Sequence, residues 1–221
     1  MRKMLKTKNL EYWYDQKENK LFNNANLEFE EGKLYAIIGS SGSGKTTFLS
    51  LLAGLDKPSA GTIEYQGVPL PKIGLTNYRN KNVSMVFQSY NLFNYMSALE
   101  NVLTAMAITR AEHANDREYV FKMLANIGID QEMAKKKVTH LSGGQQQRVA
   151  IARTMCCDAR LVVADEPTGN LDEQNTREVL NLFKDLAHKQ KKCVILVTHE
   201  PEVASLCDQT IELKNKKFSI V

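Results

Sequence analysis

GSSGSGKTT, residues 39–47, lies between an apolar run at residues 34–38 and a second apolar run at residues 48–53. The stretch fits the pattern Gly-x4-Gly-Lys-Ser/Thr, which binds phosphate when a strand precedes it and a helix follows it. Its glycines let successive backbone N–H groups turn toward one anion, and the helix beginning near Lys45 adds the positive end of its dipole. Lys45 can reach the β- and γ-phosphates of a nucleotide, and the Thr46 hydroxyl can bind magnesium. A glycine-rich turn without function is the competing interpretation, which the flanking strand and helix disfavour.

The composition is typical of one soluble α/β domain with a sizeable core. The chain has 221 residues, of which 43% are hydrophobic and 24% are charged, and its net charge is +4. The basic residues are scattered rather than interleaved with aromatics in a stripe, so no nucleic-acid partner is expected. The four cysteines have no Cys-x-x-Cys spacing, which predicts reduced and buried thiols. No signal peptide is predicted and no apolar run approaches the roughly 18 residues of a membrane span, so any membrane role would be peripheral, through a partner.

Short apolar runs alternate with amphipathic segments along the chain, which favours an α/β fold with a parallel sheet. Strands are predicted at residues 4–14, 25–30, 34–38, 83–88, 161–164 and 194–198, and hairpins at residues 62–70 and 210–221. Helices are predicted at residues 48–53, 98–108, 113–127, 145–156 and 175–189. Glycine becomes rare and the pattern becomes helical between residues 89 and 139, so we expect a helical insertion there.

Two carboxylates, Asp165 and Glu166, follow the apolar strand at residues 161–164. In open α/β sheets, ligands bind beyond the carboxyl ends of the strands. Asp165 is therefore expected to hold magnesium through water, and Glu166 to polarise a water molecule beside the γ-phosphate. An acidic pair in this position can also cap the next helix, but the phosphate-binding loop favours the catalytic interpretation.

A second serine and glycine stretch, LSGGQ at residues 141–145, precedes a predicted helix. Exposed N–H groups and the helix dipole make it another candidate anion site, while Ser142 is also a good helix N-cap. Because one chain with one phosphate-binding loop needs no second phosphate site of its own, we expect this stretch to act on a nucleotide held by another copy.

Three further residues are candidates because of where they lie. His199 follows the predicted strand at residues 194–198, where an imidazole can hydrogen-bond the γ-phosphate or orient Glu166. Gln88 ends another predicted strand and can contact magnesium or the attacking water through its neutral amide. Tyr14, with Tyr12 and Trp13 beside it, offers an aromatic face for adenine, although these aromatics are also typical strand residues.

Taken in order, these motifs identify the chain as similar to the ATP-binding subunit of an ABC transporter over essentially its whole length. The LSGGQ element is highly specific to that family. The longer runs LSGGQQQRVAIAR at residues 141–153 and ADEPTGNLD at residues 164–172 resemble the subfamily of macrolide exporters, lipoprotein-release ATPases and the related cell-division ATPase.

The resemblance implies an α/β fold: a RecA-like P-loop NTPase core with an antiparallel β-subdomain and a helical subdomain. It implies one ATP-binding domain over residues 1–221, with the helical subdomain at about residues 89–145. The family's ATP-binding positions correspond here to Tyr14, Gly39, Ser40, Ser41, Gly42, Ser43, Gly44, Lys45, Thr46, Thr47, Ser142, Gly143, Gly144 and Gln145. Its catalytic positions correspond to Glu166, His199 and Gln88, its metal positions to Thr46, Gln88 and Asp165, and its dimer-coupling position to Asp172.

ATP and Mg²⁺ are the implied cofactors, and a second copy and a membrane-spanning permease are the implied partners. Two copies would sandwich two ATP molecules head to tail, at the cytoplasmic face of the cell membrane. The segment at residues 89–139, with Gln88 as its hinge, would dock on the permease, which selects the cargo. No proline occurs at residues 89–97, unlike in many members, so the surface that faces the permease is expected to be particular to its own partner.

Three other functions are weighed against this one. A soluble ABC-type ATPase acting on ribosomes or DNA usually has two such domains in one chain or a long coiled coil, and this chain shows one domain and no heptad run. A non-hydrolysing regulatory module is disfavoured because Glu166 and His199 are both present. A P-loop kinase would not explain the LSGGQ element.

Overall fold

The computed structural model describes residues 2–221 as an α/β structure with two sheets. The strands are β1 (Lys3–Tyr12), β2 (Phe22–Ala25), β3 (Glu28–Glu30), β4 (Leu34–Ile38), β5 (Ala60–Tyr65), β6 (Val68–Pro69), β7 (Val83–Val86), β8 (Leu161–Asp165), β9 (Cys193–Val197), β10 (Gln209–Lys214) and β11 (Lys217–Ile220). The helices are α1 (Lys45–Leu52), α2 (Leu70–Ile73), α3 (Leu75–Lys81), α4 (Ala98–Thr109), α5 (Arg117–Ala125), α6 (Gln131–Lys135), α7 (Gly143–Met155), α8 (Glu173–His188) and α9 (Pro201–Ser205).

The larger sheet has the strand order β11-β10-β4-β9-β8-β7, and its strands are parallel except for the β10–β11 hairpin. Strands β8 and β9 are almost wholly apolar because helices cover both faces of a parallel sheet. The carboxyl ends of β4, β7, β8 and β9 meet at one edge of this sheet. The predicted α/β fold is therefore confirmed, and this edge is where the candidate residues converge.

The smaller sheet is antiparallel, with the order β2-β1-β5-β6 and with β3 also pairing with β1. Residues 25–30 were expected to form one strand, which is wrong, because Asn26 and Leu27 separate β2 from β3. The Thr7 side chain fills the gap: its hydroxyl donates to Ala25 O at 2.9 Å and accepts from Leu27 N at 2.9 Å. The buried hydroxyl replaces ladder hydrogen bonds that a continuous strand would have made.

The buried side chains of the described residues form three clusters. The first lies between the two sheets and includes an aromatic group beneath residues 39–47, in which Phe48 contacts Phe22 and Phe218 with ring centroids 5.5 and 4.5 Å apart. The second lies between the larger sheet and α8. The third packs α4, α5, α6 and the middle of α7 together within residues 98–156. The predicted helical segment is thus built on its own cluster, while its boundary at about residues 89–145 stays a prediction.

Several short helices that the sequence did not predict connect the strands. Helices α2 and α3 link β6 to β7, and α9 links β9 to β10. Each has seven residues or fewer, too short for apolar periodicity to be read, and such helices depend on packing for their stability.

Candidate active site

The phosphate-binding loop joins β4 to α1, with Gly39, Gly42 and Gly44 at φ 155°, 73° and 105°. A Cβ on Gly39 would lie 2.6 Å from Leu213 O, so β10 leaves room only for glycine there. Gly44 is the N-cap of α1 and has the left-handed backbone that favours glycine. The sequence expectation of a strand, a glycine-rich turn and a helix is met at each step.

Lys45 lies inside this loop. Its side chain is buried, and Nζ donates to Gly39 O and Ser40 O, both at 2.9 Å. Because both of these partners are neutral carbonyls, an ammonium held there can still pair with an anion. The loop therefore presents a cation and a helix N-terminus to the same region.

Thr46 and Asp165 lie next to each other, although 119 positions separate them in the chain. The Thr46 hydroxyl donates to Asp165 Oδ1 at 3.2 Å. Burial raises the pKa of the Asp165 carboxyl, the hydrogen bond from Thr46 lowers it, and the nearby Glu166 charge raises it again. A cation bound here would relieve the cost of that buried charge.

These oxygen donors suit magnesium in its usual nucleotide-bound form. Within residues 2–221, no group of three or more acidic, histidine or cysteine side chains could hold a metal by itself. Mg²⁺ usually takes one or two carboxylates and completes its shell with water and phosphate oxygens. The Thr46 hydroxyl and the Asp165 carboxylate fit that demand when a nucleotide supplies the remaining ligands.

Glu166 and His199 contact each other, because β8 and β9 are neighbours in the sheet. His199 Nδ1 lies 3.3 Å from Glu166 Oε1, and both side chains are open to solvent, at 60% and 26% exposure. Glu166 has φ 43°, a conformation that costs a non-glycine residue about 1–3 kcal/mol unless its surroundings hold it. Its N–H donates to Val197 O at 3.0 Å, which ties it to β9.

Gln88 lies two residues beyond the end of β7 and approaches the same place. A Cβ on Gly169 would be 3.2 Å from Gln88 Nε2 and 3.6 Å from Glu166 Oε2. The neutral amide and the carboxylate therefore flank one small residue. The structure brings Gln88, Glu166 and His199 close to one another, while their catalytic roles stay predictions.

Tyr14 stands at the open side of the loop. Its ring is 66% exposed, packs edge-on against Tyr12 at 5.1 Å, and its hydroxyl lies 2.9 Å from Thr47 Oγ1. A cavity of about 250 Å³ is lined by Tyr14, Leu21, the phosphate-binding loop and Glu166. Tyr12 is buried and donates to Asp56, so Tyr14 is the aromatic face that a base can reach.

The LSGGQ stretch lies elsewhere in the same chain. Ser142 caps α7: its hydroxyl accepts from Gln145 N at 3.3 Å, and its own N–H donates to Gln145 Oε1 at 2.8 Å. A Cβ on Gly144 would lie 2.3 Å from Asn175 Oδ1, and one on Gly143 would lie 3.0 Å from the Tyr90 hydroxyl. Among the described residues, none that lines the 250 Å³ cavity belongs to α7. The structure thus separates Ser142, Gly143, Gly144 and Gln145 from the phosphate-binding loop.

Asp172 is the N-cap of α8 and lies beside that stretch. It accepts from Asn175 N and from Asn175 Nδ2, both at 2.8 Å, and these hydrogen bonds lower the pKa of its carboxyl. Asn175 Oδ1 in turn accepts from Arg148 of α7 at 3.0 Å. Asp172 is therefore joined to the first turns of α7 through one asparagine.

Sequence reasoning missed the residues that hold these loops in place. The Thr168 hydroxyl donates to Glu200 Oε1 at 2.8 Å, and Glu200 N donates to Thr198 Oγ1 at 3.0 Å. This chain of bonds joins the loop after β8 to the loop after β9. Gln147 of α7 makes a further contact with the loop after β8. The only available signal for Gln147 was a polar residue on an otherwise buried helix face.

No helix among residues 2–221 is both long and apolar enough to cross a membrane.

Comparison with known proteins identifies the family. The ABC transporter model matches residues 22–169. The chain is 52% identical over 217 residues to YclH of Bacillus subtilis (strain 168), an uncharacterized ABC transporter ATP-binding protein, covering 98% of this chain and 96% of YclH. It is 36% identical over 220 residues to the lipoprotein-releasing system ATP-binding protein LolD of Wigglesworthia glossinidia brevipalpis, covering 97% and 96%.

Among solved structures, the post-hydrolysis dimer of the ATP-binding cassette MJ0796 bound to ADP and Pi matches with a TM-score of 0.86. The two chains are 33% identical, with 98% of each covered. The predicted fold and family are confirmed, and the chain belongs to the ABC transporter family as an ATP-binding subunit with ATPase activity.

Proposed function

We propose that two copies of this subunit close around two ATP molecules with Mg²⁺ and drive a separate membrane permease by hydrolysing them. The observation that carries the proposal is the contact between Glu166 and His199 at the mouth of the 250 Å³ cavity that holds Lys45 and Thr46. A carboxylate and an imidazole beside a phosphate-binding loop are suited to activating water rather than to storing a nucleotide.

The nucleotide is held from two sides in this proposal. Tyr14 stacks on the adenine, since its ring is exposed next to the loop. Residues 39–47 surround the phosphates with backbone N–H groups, and the Lys45 ammonium moves from the loop carbonyls to the β- and γ-phosphates. Thr46, Asp165 and Gln88 would hold Mg²⁺, which would supply positive charge against the phosphates.

Hydrolysis then depends on Glu166. Its carboxylate orients a water molecule and accepts its proton as the water oxygen attacks the γ-phosphorus and the bond to ADP breaks. His199, at 3.3 Å, orients that carboxylate or donates to the γ-phosphate. Gln88 lies on the other side of Gly169 and reports whether the γ-phosphate is present, because its neutral amide binds weakly and can move.

The second copy supplies Ser142 and Gly144. These residues start α7 away from the chain's own cavity, which fits the role of contacting the ATP that the partner copy holds. Asp172 lies at the interface between the two copies and couples their two ATP sites. Because both sites come from one sequence, both are competent in this homodimer.

The permease docks beside Gln88. An apolar cavity of about 360 Å³ there is lined by Leu55, Phe87, Phe93 and Ile108 among others. Leu55 is 53% exposed and Ile108 61% exposed, which leaves apolar surface for a partner to cover. In this proposal the subunit is peripheral and works at the cytoplasmic face of the cell membrane. The likeness to LolD and the resemblance to macrolide exporters favour an export or envelope system, and no nucleic-acid partner is expected.

The substitution Glu166→Gln tests the catalytic assignment. It removes the charge that activates water and keeps the phosphate contacts, so phosphate release should fall at least about 100-fold while ATP binding persists. Light scattering after gel filtration should find the variant as a stable dimer with ATP and as a monomer without it. Glu202→Gln, on the exposed side of α9, is the matched control and should hydrolyse ATP at the normal rate. Normal hydrolysis by Glu166→Gln would contradict the proposal.

The permease is tested by affinity capture from solubilised membranes, with the Glu166→Gln protein, ATP and magnesium. Recovery of a multi-span protein is the expected result, and the extracellular domain of that protein would indicate the cargo class. Recovery of ribosomes or DNA-repair proteins with no membrane protein would instead support the soluble ABC-type ATPase.

A further inference from the structure

Gln147 is a buried polar side chain that none of the proposed steps uses. It lies on α7 and is fully buried. Its Nε2 donates to Pro167 O at 2.6 Å, while Oε1 has no hydrogen-bond partner among the described residues. Burying half of an amide unsatisfied is unfavourable, so an apolar side chain would suit packing better. The hydrogen bond to Pro167 therefore indicates that Gln147 does more than fill space in the core.

Pro167 directly follows Glu166, whose left-handed backbone must be held by its surroundings. Proline has no N–H, so its carbonyl is the one hydrogen-bonding group through which its backbone can be held. Among residues 2–221, other hydrogen bonds also hold the loop after β8. Glu166 N to Val197 O and Thr168 Oγ1 to Glu200 run to the β9 side, Gly169 N to Glu166 O and Leu171 N to Thr168 O stay within the loop, and Asn170 Nδ2 reaches Gln88 O at 3.5 Å. Gln147 holds it from the side of α7.

We propose that Gln147 is a positioning residue for Glu166. Gln147 fixes the Pro167 carbonyl and thereby holds the backbone next to Glu166. That backbone conformation directs the Glu166 carboxylate toward the attacking water. The inference rests on the proposed function, in which Glu166 activates that water.

The same bond gives α7 a second role. Ser142 and Gly144 begin α7, and Gln147 lies one turn further along the same helix. In the proposed dimer, the start of α7 contacts the partner's ATP, while Gln147 holds the Glu166 that serves the chain's own ATP. Gln147 is therefore a direct mechanical link between the two sites.

Gln147→Met tests the positioning role, because it keeps the length and burial of the side chain and removes the donor. We expect kcat to fall about 10- to 100-fold, since small misplacements of a catalytic group have effects of that size. KM for ATP should stay within about twofold, because no contact to the nucleotide is lost. Gln190→Met, at an exposed glutamine just beyond the end of α8, is the control for the substitution itself and should leave kcat within about twofold.

Gln147→Glu provides a readout that a merely structural role would not move. Burial raises the pKa of such a carboxyl, and only its protonated form can donate to Pro167 O. Its kcat relative to the wild type should therefore rise as pH falls from 8 to 6, while the ratio for Gln147→Met stays flat.

The inference is overturned if Gln147→Met retains kcat within twofold, if Gln190→Met loses as much, or if Gln147→Glu shows no recovery at low pH. Should Gln147→Met fail to fold, the pH profile of Gln147→Glu decides alone. The proposed function itself would fail on other results. Either the wild type would not hydrolyse ATP, or the Glu166→Gln variant would still hydrolyse it. An active wild type, an inactive Glu166→Gln and indifferent Gln147 variants would overturn this inference alone.

Discussion

Two helices, α1 and α7, both begin after a run of serine and glycine, yet their first turns are built differently. α1 follows Gly44, which lies at φ 105° and has no side chain to cap the helix. α7 follows Ser142, which forms a reciprocal capping box with Gln145. The first turn of α1 carries Lys45, whereas that of α7 carries no basic side chain.

Because of this difference, the N-termini of α1 and α7 should bind phosphate differently. Among residues 2–221, no side chain caps the first N–H groups of α1, and they lie beside the buried Lys45 side chain, so the N-terminus of α1 can bind an anion alone. In α7, one N–H is already satisfied by Ser142, which weakens any anion binding by this start in isolation. We therefore expect α1 to set the nucleotide affinity of the single chain and α7 to act only when a second copy presents a bound nucleotide.

The largest expected effect comes from Lys45→Ala, which removes the charge from the α1 start. Hydrogen bonds to charged groups contribute about 1.5–3 kcal/mol, so the Kd for ATP should rise about 10- to 150-fold. Calorimetric titration of the monomer measures it, and Lys57→Ala, an exposed lysine beyond α1, should leave the Kd unchanged. An unchanged Kd for Lys45→Ala would remove the basis for treating α1 as the phosphate site.

The matching substitution at α7 is Gly144→Ala, and its effect should appear only in the dimer. The new Cβ would lie 2.3 Å from Asn175 Oδ1 and push Asn175 away from Arg148 and Asp172. In a Glu166→Gln background, ATP-dependent dimerisation should weaken about 10- to 30-fold, which corresponds to about 1.4–2 kcal/mol. The Kd of the monomer for ATP should stay within about twofold.

Asn175→Ala provides the control for that result. If Gly144→Ala weakens dimerisation by displacing Asn175, the two substitutions disturb the same contact. The double variant Gly144→Ala/Asn175→Ala should then dimerise no more weakly than whichever single variant dimerises less well. Additive losses would show that Gly144 acts on the nucleotide directly, and a loss of monomer affinity would erase the contrast between α1 and α7.

A smaller effect is expected from Tyr14, which lies at the open side of the phosphate-binding loop. Stacking on an aromatic ring contributes about 1–3 kcal/mol per base, and Tyr14 is largely exposed, so Tyr14→Ala should raise the Kd for ATP about 5- to 10-fold. Tyr14→Phe keeps the ring and loses only the contact with Thr47, so it should stay within about twofold. Binding of inorganic triphosphate, which has no base, should not change in either variant. An equal loss for triphosphate would mean that Tyr14 supports the loop instead of adenine.

The sequence predicted the α1 start well because its determinants are local. Glycine positions, the lysine and the flanking apolar runs all lie within about twenty consecutive residues, and α1 and β4 follow from them. Predicted strand ends are within two residues of those in β4, β7, β8 and β9. The convergence of Gln88, Glu166 and His199 followed from one rule, that parallel strands end at one edge.

What the sequence did not predict depends on contacts between distant segments. The break between β2 and β3 follows from the Thr7 hydroxyl, which lies on another strand. The bond from Gln147 to Pro167 and the bond from Thr168 to Glu200 join loops that only tertiary packing brings together. The left-handed backbone of Glu166 is likewise held by those neighbours, since glutamate has no preference for it.

The smallest expected effect concerns the stability that the folded protein loses by burying the Asp165 carboxylate beside α1. Burial raises the pKa of the Asp165 carboxyl, so the folded protein binds that proton more tightly than the unfolded chain. The stability that this group contributes is therefore fully present below the unfolded pKa of 3.8 and is lost as pH rises through the raised folded value. At neutral pH, without metal, the charged carboxylate is destabilising. Asp165→Asn should then raise Tm by about 2 °C at pH 7–8, while the gain shrinks toward pH 4.

Magnesium-dependent hydrolysis by the same variant should fall sharply, because the amide lacks the charge that the cation needs. Thermal unfolding across pH, without nucleotide or metal, is the measurement, and Asp185→Asn on the outer face of α8 is the control for a surface charge. A lower Tm for Asp165→Asn at pH 8 would mean that the hydrogen bond from Thr46 outweighs burial. In that case the α1 start would be stabilised by its own acidic neighbour, and the contrast with the self-capped α7 would lie in the lysine alone.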